Sequence, residues 1–389
     1  MQKHIRENGN VIYGDLSKQV NLKLDFRGNN NIVFFFGESS NVSIVFQNDN
    51  GLVFIGDHVY CNGTFWLANN SLCFIDQVNS FNGASFYIYE SKNVILGTDC
   101  MFSWDIWLAT CDYHLIIDAK TNNRVNFSKS IYIGDHVWIG RESAISKGVF
   151  VASGAILGAK SLATKVYYSN TANAGSPAKE LKKELFWLRD DPVGWTKTEI
   201  LKYSNIPNND FKYTYNQNEF LSPKAIEEKL DSLNTAQEKL EFVYNAIYCN
   251  KNKNRFAYFK DMPYDIPLPK YENKFKYLKF EEIDETKPQP TLPAPKPTPQ
   301  PTPQEIEIKA LKEKLAQKEQ ELINMKDKFD KQNTNISILE NNYQKALNTK
   351  NHLSYKLGAA LIKANKNWYK GGYIKFIFEV MRINKEHKK

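Results

Sequence analysis

The chain carries six histidines, and one of them is placed unlike the rest. His58 and His136 fall in near-identical hexamers, IGDHVY at 55–60 and IGDHVW at 133–138. His4, His352 and His387 lie near the ends or in a helix-like run. His114 alone stands at the root of HLIIDAKTNNRVNFSKS (114–130), a polar stretch that interrupts an otherwise periodic sequence. An imidazole titrates close to neutrality, so in such a place it can take a proton from an attacking group. The plain alternative is a histidine packed or hydrogen-bonded at the base of a loop. Five cysteines (Cys61, Cys73, Cys100, Cys111, Cys249) show neither CxxC nor metal-type spacing and read as reduced, buried thiols of a cytosolic protein. No metal cluster is visible. The paired acids of WLRDDPVGW (187–195) read as a helix-end turn rather than a catalytic pair.

The framework that must hold His114 is written in the period around it. Stepping by six from Ile133 meets Ile139, Ile145, Val151, Leu157 and Ala163, all aliphatic. Small or nearly small residues follow each: Gly134, Gly140, Ser146, Ala152, Gly158 and Thr164. A period of six suits neither an α-helix nor a simple alternating strand. It suits a chain that turns a corner every six residues, three short faces to a coil, with the aliphatic residue pointing into a narrow prism. Looser copies precede it at Phe36-Gly37, Ile55-Gly56, Ile75-Asp76 and Leu96-Gly97, and Phe102 and Leu108 continue from Leu96. The interval from Leu96 to Ile133 is 37 residues, one coil of 18 and an insertion of 19. Long insertions leave solenoids at corners and tend to carry function. The two IGDHV copies are then corners of one prism. The aromatic-rich runs NIVFFFG and GTFWLANNSLCFI read as wider coils, with asparagines able to stack at corners because they tolerate left-handed backbone.

With these elements in place, DYHLIIDAKTNNRVNFSKSIYIGDHVWIGRESAISKGV, followed by GAILGAKSLATK and NAGSPAKELKK, resembles the hexapeptide-repeat acyltransferases. It is most similar to O-acetyltransferases of bacterial surface sugars, including those acting on polysialic acid and capsules. The resemblance covers roughly 96–183 and rests on D-x-H, loop, R-x-N, IG-x-HVW-IG and AGSPAK in that order. It implies a left-handed parallel β-helix, against the usual crossover preference. It also implies a homotrimer with sites between neighbours, and acetyl-CoA as co-substrate without a metal. His114 matches the catalytic base, which would deprotonate a sugar hydroxyl as it attacks the thioester carbonyl, by direct transfer without a covalent enzyme intermediate. Asp112 would orient that imidazole, contact the acceptor, or simply cap a turn. Trp138 matches the tryptophan beside acceptor or CoA, and Arg124 and Asn126 match loop residues toward the acceptor. Gly140, Ala159, Lys160 and Lys165 are the implied CoA-binding positions, small residues for the pantetheine and lysines for phosphates. The N-terminal coils, rich in Phe and Asn, depart from the regular hexapeptide, which opens acceptor specificity to difference.

Five segments follow from this reading. They are a left-handed β-helix domain over 1–179, a mostly helical appendage over 180–286, and a Pro-rich linker over 287–304. A coiled coil over 305–362 and a basic amphipathic tail over 363–389 complete the chain. The AGSPAK run (174–179) is expected to end the prism and open a helical segment. Proline at every second or third position of KPQPTLPAPKPTPQPTPQ favours extended polyproline II. From Ile308 a heptad runs through Leu311, Leu315, Leu322, Met325, Phe329, Ile336, Leu339, Leu353 and Leu357, and a trimeric coil would share the symmetry of a prism trimer. Charge is divided: residues 287–389 hold 20 Lys/Arg against 10 Asp/Glu, whereas the rest is close to neutral. The tail alternates basic with aromatic and aliphatic residues, which suits an anionic membrane surface or a glycan-assembly partner, and no nucleic-acid-binding fold accompanies it. MQKHIRENGN lacks an apolar leader core, and no apolar run reaches the length of a membrane span. The expected location is cytoplasmic, peripheral on the inner face of the cytoplasmic membrane. The expected activity is O-acetylation of a surface polysaccharide or its precursor. The alternatives are an N-acetyltransferase of an amino sugar nucleotide and a non-catalytic β-helix scaffold.

Overall fold

The chain winds into a left-handed parallel β-helix of about seven turns, mainly β, and among the described residues α-helices begin only at Lys197. The computed structural model describes residues 1–207, 210–287, Lys318 and 353–387. It divides into a unit Met1–Pro290 and a unit Thr291–Lys389. The Pro-rich 288–304 and the heptads before Leu353 lie outside the described residues, Lys318 apart.

Each coil contributes to three faces. The first face stacks Val11–Tyr13, Ile32–Phe35, Leu52–Ile55, Leu72–Ile75, Asn93–Leu96, Ile131–Ile133, Phe150–Val151 and Val166–Tyr167. The second and third are joined in the early coils, where Ser39–Phe46, Val59–Leu67 and Ser80–Ile88 bend through a corner as continuous strands. Further on they separate into Met101–Phe102, Trp138–Ile139 and Ile156–Leu157 on the second face, and Ile106–Ala109, Ala144–Ile145 and Leu162–Ala163 on the third. Ile133, Ile139, Ile145, Val151, Leu157 and Ala163 line the interior, all essentially inaccessible, with Leu96, Phe102 and Leu108 above them. The register shifts one repeat by a residue: Phe35, not Phe36, pairs with Ile55. Phe36 lies outside the prism against Tyr248, 4.6 Å between ring centroids. In a run of three phenylalanines, hydropathy alone does not distinguish the two registers.

Left-handed backbone at the corners falls on Asn21 and Asn41, on Asn30, Asn50 and Asn70, and on His58, Val78, Asp99 and His136. The asparagines form ladders, Asn50 Nδ2 donating to Asn70 Oδ1 at 2.6 Å and Asn21 Nδ2 to Asn41 Oδ1 at 2.8 Å. AGSPAK does not open a helix. Gly175, at φ 102, lets the chain reverse, and Ala178–Lys182 returns antiparallel to Ala172–Gly175.

The first face is apolar on both sides because residues 183–284 cover it. Phe34, Phe54 and Phe74 point outward and stack at 4.9 and 4.8 Å, close to the strand spacing. Against this face lie Phe220 and, from the helices Pro223–Asp231 and Ala236–Phe242 and the π-helical turn Val243–Tyr248, Ile226, Leu230, Leu240, Tyr244 and Ile247. The cover ends as the strand Glu281–Asp284, which pairs in parallel with Gln2–Ile5. Buried Arg255 pins it centrally, donating to Asp76 Oδ2 (2.7 Å) and to both Asp135 oxygens (2.6 and 2.9 Å). In the second unit, the helices Leu353–Lys366 and Gly372–His387 form a hairpin through Trp368–Lys370 and a left-handed Gly371.

Candidate active site

The insertion leaves the corner between the third and first faces, after Ile106–Ala109, and returns at Ile131. It folds as a small hairpin. Ile117 and Arg124 form an antiparallel bridge, and Val125 N donates to the Ile116 carbonyl at 2.9 Å. Asp118 closes its tip by accepting from the Lys120 and Thr121 amides.

At its base, buried Asn126 organises the polypeptide around His114. Its Nδ2 donates to the His114 carbonyl (2.7 Å) and to Asp112 Oδ2 (2.9 Å), while its Oδ1 accepts from the Ile116 amide (2.8 Å). Lys147, one coil further along, hydrogen-bonds the same Asp112 oxygen and the Asn126 carbonyl (3.0 Å). The Lys147 ammonium and the Asn126 amide hold the Asp112 carboxyl below the usual carboxylate range. Arg124 bonds Glu90 Oε1 at 2.9 Å and the Asn126 carbonyl at 3.3 Å, with its guanidinium 5.2 Å from the Phe127 ring. Tyr113 has a left-handed backbone, φ 64, immediately before His114, and its ring stands edge-on to Tyr87 and Tyr89. A bulky non-glycine residue held there costs energy, and such positions concentrate at functional sites.

The result is a fixed backbone carrying an unencumbered side chain. His114 is exposed, and its ring makes no hydrogen bond among the described residues. Asp112 and Asn126 hold the loop rather than the ring. Cys111, three residues before His114, is no activated nucleophile, because burial pushes its thiol pKa up.

The remaining candidate residues lie elsewhere on the prism. Trp138 stands in the second face, in register between Met101 and Ile156, with its ring 6.0 Å from Trp187. Its buried indole Nε1–H has no hydrogen-bond partner among the described residues. Gly140 is packed beneath the next coil: a Cβ there would come within 2.5 Å of the Ala159 amide nitrogen. Ala159 and Lys160 are exposed at that corner, and Lys160 pairs with Glu142 at 3.1 Å. Lys165, exposed, follows Ala163 as Lys147 follows Ile145, so it shares the corner of the insertion. One prism thus gathers Asp112, His114, Arg124, Asn126, Lys147 and Lys165 at one corner. It places Trp138, Gly140, Ala159 and Lys160 on the second face and the corner that follows it.

Sequence reasoning missed Lys147, Glu90 and Trp187. The signal for Lys147 was present: the 37-residue offset relating Trp107 to Ala144 carries Thr110 to Lys147. His136, a corner residue in sequence, lies flat between Trp187 and Phe211, 4.0 and 3.7 Å between centroids. Its ring nitrogens meet Asp99 Oδ2 (2.6 Å) and the Trp187 carbonyl (2.9 Å). Among the described residues, no group of three His, Cys, Asp or Glu side chains has metal-holding geometry.

The polysialic acid O-acetyltransferase of Escherichia coli O1:K1 is 37% identical over 110 residues, 28% of this chain and 36% of its own length. That of Neisseria meningitidis is 31% identical over 124 residues, 31% of this chain and 58% of its own. The chain therefore spans under two thirds of both curated relatives. A crystal structure of a polysialic-acid-specific acetyltransferase is 32% identical in sequence, covering 50% of this chain and 94% of that one, with a TM-score of 0.44. Residues 305–389 match a domain of unknown function (DUF8374).

Proposed function

The chain belongs, through its solenoid, to the hexapeptide-repeat acetyltransferases, and from that premise we propose that it moves an acetyl group from acetyl-CoA to a hydroxyl of a bacterial surface polysaccharide or its sugar precursor. The observation that carries this reading is His114: an exposed imidazole, unbonded among the described residues, on a loop whose backbone is fixed from both sides. The imidazole takes the hydroxyl proton as the sugar oxygen attacks the thioester carbonyl. The C–S bond then breaks, and the departing CoA sulfur receives the proton. A positioned base of this kind contributes ~10²–10⁴-fold.

Acetyl-CoA finds a fitting surface on the second face. The Trp138 Nε1–H is a buried donor unsatisfied among the described residues, near the small Gly140, and it suits a carbonyl of the pantetheine arm or acceptor. His114 and this surface lie at different corners of one prism, so a complete site calls for a second copy. The apolar residues of the insertion support the same reading: Leu115 (67%), Val125 (58%) and Phe127 (61%) are exposed beside His114 and suit packing in a homotrimer. The cytoplasm, where acetyl-CoA is made, suits the reaction.

The deciding experiment measures CoA release from acetyl-CoA with a panel of capsule-type glycans, alongside equilibrium acetyl-CoA binding. In His114→Ala turnover should fall ~10²–10⁴-fold with binding retained. Unchanged turnover would remove His114 from the chemistry. Acetyl on nitrogen in the product would make the chain an N-acetyltransferase, and neither binding nor turnover in the wild type would make it a scaffold.

A further inference from the structure

The C-terminal hairpin presents an apolar surface that none of its described residues covers. On the helix Gly372–His387, Ile374, Ile377, Phe378 and Met381 recur at three- and four-residue spacing and are 55–68% exposed. Trp368 and Tyr369 stand at the turn, 68% and 65% exposed. A different set of residues closes the hairpin on itself, Ala364 and Ile383 being buried. The exposed stripe is therefore surplus to the hairpin's own packing.

Charge accompanies the stripe. From Leu353 to Phe378 there are five lysines, Lys356, Lys363, Lys366, Lys370 and Lys375, and no acidic residue. Three of them, Lys363, Lys370 and Lys375, line a cleft of about 390 Å³ between the helices, with Asn367, Gly372 and Glu379. Glu379 is paired with Arg382 at 2.6 Å.

We infer that this hairpin docks on an anionic phospholipid surface. The apolar stripe enters the boundary between headgroups and acyl chains, Trp368 and Tyr369 settle at that interface, and the lysine cleft takes a headgroup phosphate. No helix among the described residues is long and apolar enough to cross a membrane, so the hairpin lies on the bilayer. A second copy could also cover the stripe, but it would set one lysine cluster against another, whereas an anionic bilayer supplies the opposite charge. The inference gives the DUF8374 region a role that goes beyond acetyl transfer and does not depend on it.

The test is vesicle flotation of the full-length chain, which reads no catalysis and so separates this inference from the proposed activity. Vesicles of phosphatidylcholine alone are compared with vesicles that also contain phosphatidylglycerol. The wild type should float with the anionic vesicles only, and added salt should weaken this. Lys363→Gln/Lys370→Gln/Lys375→Gln should lower partitioning roughly a hundredfold, at ~1 kcal/mol per basic residue. Ile374→Ser/Phe378→Ser, at exposed positions that leave the hairpin's interior intact, should abolish it with helical circular dichroism unchanged. Flotation equal on neutral vesicles, none for the wild type, or none lost in either variant would overturn the inference. Loss of self-association in Ile374→Ser/Phe378→Ser without lipid would assign the stripe to a second copy instead.

Discussion

Lys147 and Asp112 lie 35 residues apart in sequence, yet the Lys147 ammonium hydrogen-bonds the Asp112 carboxylate beside His114. The β-helix makes this possible by stacking each corner one coil above the next. Lys147→Met should therefore act through position: kcat falls ~10–100-fold, as expected for a misplaced reactive group, while acetyl-CoA affinity holds. The pair also sets a pH limit. Asp112 has a folded pKa below its ordinary 3.8, so the stability it lends the loop is present above that value and is lost as pH falls through the lowered one. A pH–rate profile of the wild type should accordingly show no contribution from Asp112 above about pH 5. In Lys147→Met any contribution from Asp112 should move upward, and an unchanged acid limb would mean that the pair does not matter to turnover.

Trp138 holds a buried N–H with no partner among the described residues, which makes it informative to replace by phenylalanine. The ring and its packing survive in Trp138→Phe, while the donor is lost. If that donor meets substrate, KM for acetyl-CoA or acceptor should rise ~10-fold with thermal stability unchanged, since a hydrogen bond of this type contributes about 1 kcal/mol or somewhat more. Identical kinetics in both enzymes would leave Trp138 with a packing role only.

Gly140 is the counter-case. Its small size suits a pantetheine arm in sequence, but the structure gives it a nearer reason, because any Cβ would collide with the Ala159 amide of the following coil. Gly140→Ala should cost about 1–3 kcal/mol in chemical denaturation, the usual range for overpacking. Activity per folded molecule should change little. A large rise in KM for acetyl-CoA without loss of stability would restore the ligand-contact role.

What could be read from sequence follows the same division. The prism was legible because its interior repeats with a fixed step: Ile133, Ile139, Ile145, Val151, Leu157 and Ala163 carry the period and all line the core. His114 was legible because an insertion breaks that period. The company it keeps was harder to see, since Lys147 and Glu90 reach the loop from neighbouring coils, and only the coil offset brings them near. The cover over the first face left its trace as runs such as Ile32–Phe35, apolar at every position, which is how a strand buried on both sides reads. The partner that buries them lies two hundred residues away, and no periodicity connects the two.

That partner is fastened by Arg255, which suggests the last measurement. The residue is 2% exposed, and its guanidinium is bonded to two buried carboxylates of different coils, Asp76 and Asp135, as well as to the Ile247 and Asn250 carbonyls. Arg255→Met fits the space but leaves buried Asp135 without its cation and buried Asp76 with only the more distant Lys251 ammonium, 3.9 Å away. Breaking a buried ion pair from one side costs about 3–5 kcal/mol. Denaturant unfolding should show that loss, and limited proteolysis should first cut between residues 183 and 284, where the cover has come free. Asp76→Asn/Asp135→Asn in the Arg255→Met background should recover much of the stability, because the stranded charges are then gone. If the triple variant were no more stable than Arg255→Met, the loss would come from packing, and the ion pairs would not be what fastens the cover to the prism.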